Sequence, residues 1–292
     1  MINTKKIILK TISILLIIAA LSLTFTISNN DIIKVSKQNN SKMKYSEDIE
    51  VISGFKKVAT GNYHSMAIDN EDNLWVWGSN FYGELGNGTT NKSTIPIQIK
   101  IGTKFKEIEA GMNHSMAIDT EGNLWTWGYN KYGQLGNGQN GDTVYEINPI
   151  QIKPGVKFSK IDTIAETSFA IDSEGNLWGW GYNAHAQLGN GQSGDQLCSQ
   201  NPIQINAGVK YKDVAAGYIH TVALDIEGNL WSWGNNGYGQ LGNGSTLNSK
   251  RPVKINTQVK FDKITAGQHR SAAIDTEGNL WAWGNNTNGQ LG

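Results

Sequence analysis

The pattern Trp-x-Trp-Gly returns five times along the chain, beginning at Trp75, Trp125, Trp178, Trp231 and Trp281, at intervals of 50, 53, 53 and 50 residues. All ten tryptophans sit in these pairs, Trp75 and Trp77, Trp125 and Trp127, Trp178 and Trp180, Trp231 and Trp233, Trp281 and Trp283. A period near fifty residues, built from short apolar runs and Gly-rich turns, is the signature of an array of small sheets rather than of one enzyme core. The second copy shows the unit: Pro96–Ile99, Phe105–Gly111, His114–Asp119 and Asn123–Gly128. These are short runs of Ile, Phe and Trp bounded by Gly, Asn, Asp or Pro, without a helical period, and they predict four antiparallel strands per unit.

Alternation within the strands predicts the packing. Trp125 and Trp127 point to one face of their strand, and the residue between them points to the other. That intervening place holds Val76, Thr126, Gly179, Ser232 and Ala282, all of modest size, so one sheet's indoles can fill the gap against the next. Ser115 and Ala117 likewise oppose Met116 and Ile118. Both faces are apolar enough for burial, as in a propeller blade.

The runs Ala-Gly-x-x-His-Ser-x-Ala, Asp-x-Glu-Gly-Asn-Leu-Trp-x-Trp-Gly and Asn-x-Tyr-Gly-Gln-Leu-Gly-Asn-Gly, as in residues 110 to 138, closely resemble the repeat of the regulator of chromosome condensation family. The resemblance covers about residues 46 to 292. It implies an all-β fold, a β-propeller of four-stranded antiparallel blades. Rings of this family commonly have seven blades, whereas this chain carries five copies and stops inside a motif at Gln290-Leu291-Gly292. A ring closed by five blades and a product cut from a longer ring are both compatible with that ending.

Several sharper readings fail on the copies themselves. The motif His is His64, His114 and His220, but Thr167 in the third copy and Arg270 in the fifth, and the motif Gly becomes Ile164 in the third. A repeated catalytic or metal-binding role would not survive those losses, so a partly buried histidine bonded to backbone at a turn is the expectation. Asp119, Glu121 and Asn123 only faintly resemble a calcium loop, lacking the distal bidentate Glu, and a hairpin turn with Gly at positive φ is expected. The Gly-Gln-Leu-Gly-Asn-Gly stretch has no Lys-Ser/Thr pair and no following helix, so it is not a phosphate loop. No metal, no cofactor and no catalytic residue is expected.

Residues 1 to 28 carry Lys5, Lys6 and Lys10 ahead of an uncharged apolar stretch from Ile12 to Ile27, predicting a hydrophobic helix that serves as a signal peptide or membrane anchor. Ala20-Leu21-Ser22 and Ser28 both offer small residues for cleavage. Residues 29 to 45 read as a polar linker, and the five repeats divide at about 46–95, 96–148, 149–201, 202–251 and 252–292. The protein is therefore expected outside the cytoplasm, secreted or anchored. With 25 basic and 25 acidic residues it lacks the basic footprint of a nucleic-acid binder. Lys56, Lys57, Lys104 and Lys106 read as a solvated edge. The single Cys198 excludes an internal disulfide.

Function is then expected in the loops after Trp-x-Trp-Gly, which gather on one rim and carry Phe81, Tyr82, Tyr129, Tyr132, Tyr182, His185 and Tyr238. The connections at 139–148 and 192–201 are each three residues longer than those at 89–95 and 245–251. Aromatics flanked by enlarged loops suit a protein partner. The opposing reading is that the motif tyrosines pack between blades. The resemblance also implies a guanine-nucleotide exchange factor for a small GTPase, and rim aromatics would equally stack on sugars in a carbohydrate or cell-wall glycan binding module.

Overall fold

The computed structural model describes residues 53–194 and 197–292, so the expected leader, its hydrophobic helix and the linker lie outside the described residues. From Phe55 onward the chain is a single compact unit of strands and turns. Five antiparallel sheets follow one another. The first holds β1 (Phe55–Thr60), β2 (His64–Asp69), β3 (Leu74–Gly78) and β4 (Ser93–Ile99). The second holds β5 (Phe105–Ala110), β6 (His114–Asp119), β7 (Leu124–Tyr129) and β8 (Tyr145–Ile152). The third is β9 (Phe158–Ile164), β10 (Thr167–Asp172), β11 (Leu177–Tyr182) and β12 (Cys198–Ile205). The fourth is β13 (Tyr211–Ala216), β14 (His220–Asp225), β15 (Leu230–Gly234) and β16 (Ser249–Lys254). The fifth has three strands, β17 (Phe261–Ala266), β18 (Arg270–Asp275) and β19 (Leu280–Gly284).

The sheets divide the repeat one strand away from the expected place. The strand with Pro96 does not open the second sheet. It closes the first, with Val76 opposite Ile97 and Trp75 opposite Gln98. Pro149, Pro202 and Pro252 lie on the corresponding outermost strands. That position suits proline, because an outer strand has one edge that needs no N–H donor. The first strands β1, β5, β9, β13 and β17 pack beside one another in series and form the inner side of the array.

Successive sheets bury their facing sides as the alternation predicts. Met66, Ile68, Leu74 and Val76 of the first sheet meet Phe105, Ile108, Ala117 and Trp127 of the second. The same positions recur as Met116, Ile118 and Leu124 against Phe158, Ile161, Ala170 and Trp180. Phe169, Ile171 and Leu177 then meet Tyr211, Val214, Ala223 and Trp233. At the four seams a loop glycine of the preceding sheet, Gly86, Gly136, Gly189 or Gly242, also lies against the second indole, and at the first seam Val76 joins Trp127 in the same buried cluster. A Cβ built on Gly136, which has φ +73°, would lie 2.9 Å from the indole nitrogen of Trp180. At the two ends of the array the equivalent faces are bare: Val58 is 65% exposed where Ile108 is buried, and Leu280 is 75% exposed where Leu230 is buried.

Candidate functional site

The two tryptophans of each pair do different work. From the second sheet onward, the second donates its indole N–H across the seam to a main-chain carbonyl of the preceding sheet's loop. Trp127 reaches Glu84 O at 2.7 Å, Trp180 reaches Gln134 O at 2.8 Å and Trp233 reaches Gln187 O at 2.7 Å. A hydroxyl of the same later sheet donates to the same carbonyl, Ser115 to Glu84 O, Ser168 to Gln134 O and Thr221 to Gln187 O. The first tryptophan donates to its own sheet's turn and is half-buried in all but the last sheet, where Trp281 is exposed. Trp125 Nε1 bonds Asp119 Oδ2 at 2.9 Å, while Asn123 donates its backbone N–H to Oδ1 and its side-chain amide to Oδ2, each at 2.8 Å.

That cage explains the repeated Asp-x-Glu-Gly-Asn stretch. Both carboxylate oxygens are already occupied by N–H donors, which leaves them nothing to offer a cation, and among the described residues no acidic or His/Cys group has the arrangement of a metal site. Burial raises the Asp119 carboxyl, but the donors of Trp125, Asn123 and Glu121 together hold it below the ordinary carboxylate range. Asp119→Ala is expected to lower stability by about 3 kcal/mol, since hydrogen bonds to charge contribute roughly 1.5 to 3 kcal/mol each and the freed donors stay partly buried. Equilibrium urea unfolding measures it, and a loss under about 1 kcal/mol would show that the cage is ornamental.

The motif histidines form buried Ser–His pairs that resemble a nucleophile and its base. His64 Nε2 lies 2.9 Å from Ser115 Oγ, and His114 Nε2 lies 2.9 Å from Ser168 Oγ. The hydroxyl proton, however, is committed to the loop carbonyl, so Nε2 must carry the ring proton and donate to the serine. Such a ring cannot accept the serine's proton. Burial lowers the titration of His64 and His220 to about 4 and of His114 to about 3, His269 and His64 respectively adding a minor push for the latter two, so all three rings are neutral and structural.

Of the lysines expected to form a solvated edge, Lys57 and Lys104 cross-link neighbouring sheets, whereas Lys56 pairs within its own sheet and Lys106 is exposed as expected. Lys104 donates to Asn73 Oδ1 of the preceding turn at 2.8 Å and to Glu71 O, and Lys157 and Lys210 make the same reach to Asn123 and Asn176. Lys57 pairs with Glu107 on the neighbouring inner strand, and Lys56 with Asp72. Lys100 and Lys153 lie 3.6 and 3.9 Å over the rings of Trp125 and Trp178 in the following sheet.

What remains free is the rim at which the inner-strand turns and the long loops meet. Ser79, which opens the first long loop, donates its N–H to Tyr63 O in the first turn, so both belong to this end of the sheet. The expected aromatics separate into two groups. Tyr82 and Tyr129 pair across the first seam with centroids 4.2 Å apart, and Tyr132 and Tyr182 pair across the second at 4.7 Å; all four are half-buried. Phe81, His185 and Tyr238 point to solvent, Phe81 being 79% exposed, and Tyr238 lies 5.1 Å from His269. The two enlarged loops join side by side, with Gln200 Nε2 donating to Asn140 Oδ1 at 2.7 Å beside the half-buried free thiol of Cys198.

Tyr145, which opens β8, escaped the sequence reasoning, and so did two exposed aromatics of the inner-strand turns, Tyr63 and Tyr218. The latter two occupy the pair of residues between the motif Gly and the motif His, which reads Asn-Tyr, Met-Asn, Ala-Glu, Tyr-Ile and Gln-His from copy to copy. Variation at a fixed turn position was the available signal.

Sheets packed in series, with a shared inner strand position and caged turns on one side, define a β-propeller-type repeat protein. Models of the "Regulator of chromosome condensation (RCC1) repeat" match residues 71–118, 121–170, 174–224 and 227–274, and a second model of the same description matches 55–84, 105–134, 211–240 and 261–290. The chain belongs to this family. It is 30% identical over 189 residues to the ultraviolet-B receptor UVR8 of Arabidopsis thaliana, covering 64% of this chain and 43% of the receptor. It is 31% identical over 204 residues to the protein RCC2 homolog of Danio rerio, covering 62% and 41%. The chain thus spans less than half the length of these relatives. Among solved structures, human WBSCR16 superposes with a TM-score of 0.71 at 25% identity, over 82% of this chain and 63% of that one. Prp20p of Saccharomyces cerevisiae gives a TM-score of 0.67 at 23% identity, over 77% and 57%, a likeness of fold.

Proposed function

We propose that this protein is an exported, non-enzymatic propeller that captures a protein partner on the loop rim. The observation that carries the reading is where the exposed aromatics lie. Tyr63, Phe81, Tyr145, Tyr218 and Tyr238 belong to the turns and loops of that end or to the first residue of an outer strand beside it, together with Leu197 and Leu247. Apart from Trp281, no other large aromatic among the described residues is exposed. Rigid tyrosine and phenylalanine rings give large contact area at small entropic cost, and interface hot spots draw on them. The cross-seam tyrosine pairs supply a fixed floor, and Phe81, His185 and Tyr238 stand on it as the contact residues. The locked Ser–His pairs and the caged carboxylates favour binding over chemistry. A related propeller, Prp20p, has been characterised for its binding to Gsp1p and histones, which agrees with capture of proteins by this architecture.

Export rests on the basic and apolar leader within residues 1 to 28. The test joins the two parts. The protein should be recovered from the cell exterior, and a partner retained on it should be lost when Tyr63, Phe81, Tyr218 and Tyr238 are replaced together by serine, with the melting temperature unchanged within about 2 °C. Retention of a wall polysaccharide instead of a protein would favour the glycan-binding reading. Undiminished capture by the fourfold variant would remove the rim from consideration.

A further inference from the structure

The four seams between successive sheets repeat one set of bonds, and the third departs from it. At the first, second and fourth, an imidazole of the earlier sheet is bonded to a hydroxyl of the later one, His64 to Ser115, His114 to Ser168 and His220 to Ser271 at 2.8 to 2.9 Å. The second and fourth add a backbone bond between the inner turns, Met112 N–H to Ala165 O and Tyr218 N–H to Gly267 O. At the third seam Thr167 stands in place of the imidazole and bonds back to its own sheet, donating to Tyr182 O at 3.2 Å. Ile164 stands in place of glycine. A Cβ at Gly61, Gly111 or Gly217 would come within 2.4, 3.0 or 2.7 Å of a carbonyl oxygen of the next sheet, so a side chain at this position holds the two turns apart.

What joins the inner ends instead is a carboxyl. Asp162 on β9 accepts the backbone N–H of Ala216 on β13 at 2.5 Å. Glu109 faces it from β5 and Asp213 from β13, while Lys160 on its own strand pairs with Asp213. Burial, with the Glu109 and Asp213 carboxylates, pushes the titration of Asp162 up to about 8 against the opposing pull of the Ala216 N–H and Lys160. Burial likewise raises Glu109, which Lys57 and Lys160 counter.

We propose that the third seam is a joint at which the inner end of the array opens and closes, set by whether the Asp162 carboxyl is neutral or charged. Neutral, the side chain sits between Glu109 and Asp213 without repulsion and keeps its bond to Ala216. Charged, it gains hydration and distance from Asp213 only when the seam parts, while Glu109 stays beside it across the second seam. The bonds of Trp233 and Thr221 to Gln187 O lie outward of that point and serve as the hinge. A folded-state value above the ordinary carboxylate range means that the closed seam binds a proton the open one has released. Opening therefore becomes more favourable as pH rises from about 4 to about 8.

Amide hydrogen exchange on the whole protein at pH 6 and pH 8.5, corrected for the intrinsic exchange rate, tests the joint. The inner amides of β9 and β13 should open roughly 50- to 100-fold more at the higher pH, while those at the other three seams hold steady. Asp162→Asn, which keeps an acceptor for Ala216 but cannot ionise, should abolish the rise. Ile164→Gly with Thr167→His and Thr221→Ser, which restores the imidazole, its hydroxyl and the room between them, should suppress opening at both pH values. Equal protection at all four seams, or a rise that persists in Asp162→Asn, overturns the proposal. If the triple variant fails to fold, Asp162→Asn decides alone.

Discussion

Trp180→Ala should be the most damaging single substitution in the array, lowering the free energy of unfolding by about 4 kcal/mol, toward the upper part of the range for large aromatic to alanine changes in a core. The indole is fully buried, packed among Met116, Ile118, Leu124 and Phe158 from two sheets. Its removal leaves a cavity that the stiff sheets on either side cannot collapse into. It also strips Gln134 O of one of two donors and leaves Gly136 facing empty space. Trp178→Ala, two residues away, is the control: that side chain is half-buried, hydrogen-bonded within its own sheet's turn and met across the seam by Lys153 on its ring face, so its loss should be roughly half as large. Urea unfolding of the two variants side by side checks the ordering. A Trp178→Ala loss equal to that of Trp180→Ala would mean that seam packing does not dominate stability.

Acid should weaken the array well above the pH at which ordinary carboxylates titrate. His64, His114 and His220 have folded values lowered to about 4, 3 and 4 by burial, against an ordinary value near 6.5. A depressed histidine means that the unfolded chain binds the proton first. Stability is therefore whole above about pH 7 and falls as pH drops from about 6.5 toward 4, with the unfolded state taking up to three more protons. Each ring that stays neutral at pH 4.5 then contributes a loss of about 2 to 3 kcal/mol. Asp162 acts in the opposite sense over part of this window, because its raised value makes the folded state hold one proton that the unfolded chain releases between about pH 4 and 8. Burial raises Glu84, Glu109 and Glu166 in the same opposing sense, so the slope is the histidine uptake less the share of these carboxyls. Turn carboxylates such as Asp69, Asp119 and Asp225, held low by their donors, release their share only below about pH 4. Unfolding free energies at pH 7.5, 6 and 4.5 measure the slope. His114→Gln should flatten it by about one proton, and a flat profile in the parent protein would contradict neutral buried rings.

Much of this was legible in the sequence because the repeat supplied its own comparison. The period of the Trp pairs fixed the number of sheets, and the alternation of Trp125, Thr126 and Trp127 fixed which side each side chain takes. Losses at Thr167 and Arg270 argued against repeated catalysis before any geometry was known. What stayed hidden was pairing between segments distant in the chain. Nothing local says that Pro96 belongs with Trp75, because the partner of an outer strand depends on which way the loop from Ser79 to Lys92 folds back. The use of Asp119 as an anchor for Trp125 six residues on, and of Lys104 as a tie to Asn73, likewise needed coordinates. At the candidate rim, residue type found Phe81 and Tyr238, but only exposure separated them from Tyr82, Tyr129, Tyr132 and Tyr182.

In every seam the carbonyl is offered by the earlier sheet, and the indole and hydroxyl that use it come from the later one. The attachment is thus polar in the sense of a thread and a nut: each newly made segment finds its receptacle already in place upstream. Assembly can therefore keep pace with synthesis from the ribosome, and copying or deleting one whole genetic unit leaves matching halves at the splice, so such proteins can change length without inventing a new fit.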